Sequence, residues 1–376
     1  MRWGVCCDDL RVADWLQQFA RSADVPAFLG VRRSPLDDAL FQGIPRVEFC
    51  DNWQSLLIAR NLDGILVGGR DDEAFTAMRQ LAQSSIPLYV RPHSAQGLSL
   101  AYELTLIAAE RDAPICPLWP HRADPALAAI KRWLTETGRG LQHIELERTV
   151  NVADVAEEHV DENLATLQLD DADIVRWLGI RGSRLTALRT SRPEPKHRRF
   201  SVTLETDGAP VALWTAETRS GGPTHARLTL QLASGRMVLE QHDGEPWALT
   251  SGDGGALAAS AAEPMWIDPD ATWDDAVAVF EWIDAVERSL ERRRAIELHS
   301  EPLSERTIFK TQMAAAGCAV LLGTLALSLV YLGIASIVPL PQWLLLTLRT
   351  VIFAPLFVFL LAQLLLPLTR SARPGL

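Results

Sequence analysis

Apolar and polar positions divide the chain into three stretches. Over residues 1 to about 120, short apolar runs alternate with amphipathic ones. Residues 3–6, 27–31, 64–67, 88–90 and 115–118 read as strands, and residues 13–20, 74–82 and 98–110 as helices between them. Regular alternation of strand and helix predicts a parallel sheet with crossover helices, a Rossmann-like doubly wound domain. A further helix is expected over 125–136, with Pro125 in its first turn.

Beyond about residue 140 the pattern changes. Strands are predicted at 200–205, 211–216, 226–232 and 236–240, joined by the turn signals Asp207-Gly208, Gly221-Gly222-Pro223 and Ser234-Gly235. Consecutive strands with short links predict an open antiparallel sheet, with a helix over 172–178 beside it. The segment from Pro193 to Arg199 reads as an exposed loop, and the Gly/Ala/Ser-rich stretch 251–262 as another. Residues 273–294 return to helical periodicity, with Val279, Phe280, Ile283, Val286 and Leu290 on one face. Asp274 and Asp275 stand in its first turn and Arg292 to Arg294 near its last, complementing the helix dipole.

The third stretch is apolar throughout. Residues 313–338 carry no charged side chain; after the Pro339-Leu340-Pro341-Gln342 break, residues 343–366 carry only Arg349. About 20 apolar residues span a bilayer as a helix, so the pair predicts a transmembrane helical hairpin. Arg292, Arg293, Arg294, Arg306 and Lys310 precede it, Arg370 and Arg373 follow it, and the turn has no positive charge. By the positive-inside rule both flanks are cytoplasmic. Arg349 is placed to snorkel toward the outer headgroups, and Trp343 suits that interface. The start of the chain does not read as a signal peptide. The expected location is the inner (cytoplasmic) membrane, with two spans, and with the large domain and both termini in the cytoplasm. The expected divisions are a Rossmann-like domain over 1–122, an α+β sheet domain over 123–300, a juxtamembrane linker over 301–312, and spans over 313–338 and 343–367.

Composition changes this picture little. A formal charge of −11 argues against a nucleic-acid partner, whose phosphates need a basic surface. The expected partners are the lipid bilayer, a small anionic metabolite, and a second copy of the chain through the sheet domain. Cys6, Cys7, Cys50, Cys116 and Cys318 show no metal-ligand spacing, and no metal is expected. The adjacent Cys6-Cys7 reads as a small apolar pair at a strand end, consistent with a reducing compartment.

Several segments, in order, resemble the glucose–fructose oxidoreductase / inositol dehydrogenase family (Gfo/Idh/MocA). Arg2-Trp3-Gly4-Val5 is similar to its first strand, Asn61 to Val67 to its D-A-V-V-V-A-T strand, and Pro87 to Pro92 to V-x-V-E-K-P. Trp119 to Ala126 is similar to N-x-R-F-x-P-A, and Asp173 to Leu178 to the end of H-x-x-D-L-x-R-W-L. The resemblance covers roughly residues 1–290 and implies an NAD(P)-dependent oxidoreductase fold.

The departures sit at the positions that carry the chemistry. The family's G-x-G-x-x-G turn lets the backbone approach a pyrophosphate resting on a helix N-terminus. Here Cys6-Cys7-Asp8-Asp9-Leu10-Arg11 stands in its place, without glycine and with two carboxylates. Asp8 or Asp9 is instead expected to cap the next helix. Where the ribose would be held stands Arg32-Arg33-Ser34, suited to a 2′-phosphate or to solvent. The catalytic Lys aligns with Arg91, which cannot exchange a proton near neutrality, and the catalytic His with Asp170. His93 and His121 lie near the same cleft. These losses imply a non-catalytic binding or scaffold protein with no bound cofactor. The alternative is an active NAD(P)-dependent enzyme acting on a sugar-like or polyol substrate. For the cleft two readings stay open: Arg91 and Arg122 converge on a small anion, or Arg91 pairs with Asp170 and seals the site.

Overall fold

The computed structural model describes residues 1–21, 27–32, 39–110, 114–138, 141–191, 196–207, 209–243, 245–252, 267–268, 271–298, 321–329, 331, 347, 350 and 352–354. The chain opens with β1 (Arg2–Cys6), then α1 (Ala13–Ala20), β2 (Ala27–Val31), β3 (Val47–Cys50), α2 (Gln54–Ile58), β4 (Gly64–Val67), α3 (Asp72–Leu81), β5 (Leu88–Val90), α4 (Gly97–Ala109) and β6 (Ile115–Pro117). The six strands are all parallel, in the order β3-β2-β1-β4-β5-β6. This is the doubly wound order, which reverses direction between β1 and β4 and opens a crevice at their carboxyl ends. Covered on both faces, the central strands are continuous apolar runs: Gly64, Ile65, Leu66 and Val67 are all buried.

Helix α1 places Trp15, Leu16, Phe19 and Ala20 on its buried face. There Trp3 packs edge-on to Phe19 and tilted against Tyr89. Helix α3 starts where Asp71 accepts a hydrogen bond from the Ala74 amide at 2.7 Å.

The second half runs α5 (Pro125–Thr137), β7 (Leu141–Asn151), α6 (Glu157–Trp177), β8 (Arg184–Ser191), β9 (Arg198–Thr206), β10 (Ala209–Arg219), β11 (His225–Leu232), β12 (Gly235–His242), β13 (Ala248–Ser251), α7 (Trp273–Arg292) and β14 (Ile296–Glu297). Its eight strands lie in the order β13-β12-β11-β7-β10-β9-β8-β14. The expectation of an antiparallel sheet needs correction. β7 and β10 pair in parallel, because β7 enters the middle of the sheet and its continuation leaves through α6 before the meander returns beside it. One face carries the core, with Leu146, Trp214, Phe200, Leu228 and Leu239 all buried. The other carries Glu145, Glu147, Thr215 and Arg227, the alternation of a half-buried sheet.

Two further corrections concern extents. The helix expected over 172–178 is the last third of α6, whose polar early turns hid its start. The loop expected from Pro193 to Arg199 ends early: Arg198 and Arg199 open β9, and His197 is buried. Strands β3, β7, β8, β13 and β14 were not anticipated. Helix α7 buries Val279, Phe280, Ile283 and Val286 as its periodicity predicts, and Leu290 packs partly buried against the same core.

Residues Met1–Ser300 form one compact unit and Glu301–Leu376 a second. In the second, residues 321–329 are helical. Among the described residues no helix is long and apolar enough to cross a membrane; most of the two predicted spans, with Trp343 and Arg349, lies outside the described residues.

Candidate functional site

A cleft of about 390 Å³ is walled by α1, the segments after β5 and β6, β7, α6, and β12 with the residues that follow it. Arg91, His121, Arg148, Asp170, Trp15 and Trp247 are among its walls. Arg91 follows the last residue of β5 and its side chain is 1% exposed. Its Nη1 and Nη2 donate to the two oxygens of Asp170 at 2.9 and 3.0 Å, and its Nε donates to Asp9 at 3.1 Å. Burial works against the charge, but the two carboxylates outweigh it and raise the guanidinium pKa further. Arg91 is therefore a fixed cation, and of the two readings of the cleft the Arg91–Asp170 pair is the one formed.

Helix α6 repeats the device twice. Asp171, fully buried, is gripped by Arg148 from β7. Burial raises its carboxyl above the usual range, against the opposing pull of Arg148. Asp173, also fully buried, accepts from Arg122 Nε at 2.9 Å and Nη2 at 2.6 Å, and lies 2.7 Å from His121 Nε2. Burial alone would raise Asp173, but the Arg122 charge and these hydrogen bonds hold it down at about 2. Three aspartates on one helix are thus each held by an arginine from another element, which is what allows the helix to bury them.

Arg122 does not join Arg91 in the cleft. Its remaining Nη1 donates to Asp268 at 2.9 Å, and it lines a separate small crevice. The expected convergence of Arg91 and Arg122 on one anion is therefore corrected. The charged groups lining the cleft include Asp14, Asp124, Asp170 and Glu245 against Arg91 and Arg148. Carboxylates outnumber guanidinium groups among them, a balance that does not favour an anion. Asp124 also organises the rim: one oxygen caps α5 through the Ala126 and Leu127 amides, and the other accepts from the Trp247 amide at 2.9 Å.

The remaining sequence-predicted residues fall as follows. His121 lines the cleft. With Nε2–H donated to Asp173, its Nδ1 is left as an acceptor. His93 serves its own loop, accepting from the Ala95 amide at 3.1 Å. Arg32 is exposed and lies over the Phe49 ring at 4.4 Å. Arg33 and Ser34 lie outside the described residues.

The turn after β1 does not fit a dinucleotide pyrophosphate. A 3-10 turn, Leu10–Val12, intervenes before α1, whose N-cap residue is Val12 with no side-chain cap, so neither Asp8 nor Asp9 caps α1 itself. Asp9 turns its carboxylate to Arg91 instead. Cys7 is buried, and its thiol pKa is pushed up by burial and by Asp9. A Cβ built on Gly68, just past β4, would meet the Cys7 Sγ at 2.6 Å and the Arg91 Cβ at 3.0 Å. The Cys7 thiol and the Arg91 stem thus pack against the end of β4, and the turn itself carries two carboxylates, Asp8 and Asp9, and no glycine. Cys7, Asp8 and Asp9 therefore offer no grip for a phosphate. Sequence reasoning missed Arg148, Asp171, Asp268 and Trp247; the acidic run Asp170-Asp171-Ala172-Asp173 was the available signal.

No known family model and no curated protein matches this sequence. Solved structures do match its fold. A WlbA dehydrogenase from Chromobacterium violaceum, in complex with NADH and UDP-GlcNAcA, aligns with a TM-score of 0.60 at 12% identity, over 80% of this chain and 96% of that one. A myo-inositol dehydrogenase from Corynebacterium glutamicum aligns at 0.58 and 12%, over 80% and 99%. A scyllo-inositol dehydrogenase from Lactobacillus casei aligns at 0.60 and 12%, over 79% and 98%. The chain shares the fold of these dehydrogenases.

Proposed function

We propose that this chain is a membrane-anchored relative of the Gfo/Idh/MocA oxidoreductases that no longer turns over NAD(P). In this reading the cleft binds a small hydroxyl-rich ligand, or holds a partner, at the cytoplasmic face of the inner membrane. The observation that carries it is the Asp9–Arg91–Asp170 bridge. It joins the position of the phosphate turn to the two positions of the family's catalytic pair, and it occupies all three with one another. An arginine does not relay protons near neutrality.

The membrane part of the proposal rests on the two apolar runs and on the described piece of the first. Leu321, Leu322, Leu325, Leu327 and Leu329 are 54–67% exposed on a helical segment. A helix apolar all round needs cover, and lipid supplies it.

A second reading keeps catalysis, on the strength of His121. Held by Asp173, it presents the imidazole that lines the cleft. It would act as base toward a sugar-like or polyol substrate. An assay of the purified full-length chain for NAD(P)-dependent oxidation of sugars and inositols separates the two. The first reading expects no turnover above background; sustained, His121-dependent reduction of NAD(P) would replace it with the second.

A further inference from the structure

The outer face of the second sheet carries a group of side chains that the cleft does not use. His225 begins β11 and His242 ends β12, and the two are directly paired across the strands. Paired positions share a face of the sheet. Glu240 lies two residues before His242 on β12, and residues i and i+2 of a strand point to the same side. His225, His242 and Glu240 therefore stand together. Their ligand atoms all lie within 4.8 Å of one another, and the two imidazole centroids are 4.6 Å apart.

We infer that these three residues bind a transition-metal dication, with zinc(II) as the ion the donor set fits best. Two imidazoles and one carboxylate are a set zinc takes readily, leaving a fourth position for water. Bonds of about 2.0–2.2 Å around a tetrahedral ion place its ligands about 3.4 Å apart. The three side chains need only draw in by rotation about their own bonds.

The surroundings are built to hold them. The backbone behind the site is fixed on both sides. The Thr224 amide donates to Asp243 Oδ1 at 2.8 Å, and the Asp243 amide donates to the Thr224 carbonyl at 2.8 Å, which clasps the open end of the hairpin. β7 flanks β11, and β13 pairs with β12 at Glu240 itself. Arg227 Nε and Nη2 both reach Glu240 Oε1, at 2.9 and 2.8 Å. That leaves Oε2 for the metal, with Arg227 orienting the carboxylate from behind, as outer-shell partners do. Gln241, between the two β12 ligands, lines the cleft on the opposite face. The site thus backs onto the cleft across a single strand, and a bound ion would stiffen the hairpin that carries part of its wall.

The test uses the full-length protein in detergent, purified without a histidine tag and stripped with a chelator. Calorimetric titration with zinc(II) should give one ion per chain with a Kd of micromolar order or tighter. Cobalt(II) should give the visible bands of a four-coordinate site, displaced by zinc. His225→Ala, His242→Ala and the shape-conserving Glu240→Gln should each weaken binding by at least about tenfold, while His159→Ala should leave it unchanged. Zinc should raise the melting temperature of the wild type and not that of His242→Ala. The inference is overturned by the absence of saturable binding below about 100 µM. It is equally overturned by binding that persists when His225 and His242 are replaced together in a variant whose apo melting temperature matches the wild type.

Discussion

Arg91 forks onto Asp170, its two terminal nitrogens 2.9 and 3.0 Å from the two carboxylate oxygens, with the guanidinium 1% exposed. A charge pair this well enclosed is asymmetric in its consequences. Made, it contributes little over a well-packed apolar pair; half removed, it leaves an uncompensated charge.

Arg91→Ala should therefore destabilise the protein by about 3–5 kcal/mol, since it strands Asp170 and Asp9 together. Arg91→Met combined with Asp170→Leu should recover much of the loss. Urea unfolding of the three proteins measures this; a single mutant within about 1 kcal/mol of wild type would mean the pair is not buried as described.

Gly68→Ala tests the close packing of Cys7 and Arg91 against the end of β4. The added methyl meets the Cys7 Sγ at 2.6 Å, and a strand-end thiol has little room to yield. Overpacking of this kind costs about 1–3 kcal/mol. Cys7→Gly in the same chain should restore most of it, as judged by the denaturation midpoint. Absence of rescue would place the strain elsewhere.

Acid sensitivity should come from Asp173. Its folded value of about 2 lies below the ordinary carboxylate value, so its pairing stabilises the protein above roughly pH 4. That contribution, of order 2 kcal/mol, is lost as pH falls from about 4 toward 2. Melting temperature followed across this window should drop less steeply for Asp173→Asn than for the wild type.

How much of this was legible depended on whether the physics was local. The doubly wound half was readable because β1, β4 and β5 are apolar runs with the amphipathic helices α1 and α3 between them. β7 was not: its residues Gln142, His143, Glu145, Glu147 and Arg148 look like a polar segment. Only the sheet's two faces explain them, with Leu146 and Ile144 inward and Arg148 turned to Asp171. The start of α6 was hidden in the same way. At the site, the replaced residues Cys7, Asp8, Asp9, Arg91 and Asp170 could be named individually. The Arg91–Asp170 pair could be named only as one of two open readings, and the Arg91–Asp9 contact was not named, because these contacts join residues 79 and 82 positions apart. The destination of Arg122 depended on Asp268, 146 positions away, which no motif marks.

The membrane topology makes its own prediction. A single cysteine introduced at the exposed Ser220, in a chain otherwise free of accessible thiols, should resist an impermeant maleimide in intact cells and react after lysis. The full chain should also stay with the membrane through alkaline carbonate extraction. Labelling from outside would place the sheet domain on the other side.

The central claim is that the nucleotide turn no longer binds a dinucleotide. Calorimetric titration of the full-length protein with NAD(H) and NADP(H) measures it directly. Cys7, Asp8 and Asp9, with Arg91 already engaged, predict no binding tighter than about millimolar, near −4 kcal/mol. Dinucleotide that co-purifies with the protein, or binding in the micromolar range, would contradict the account.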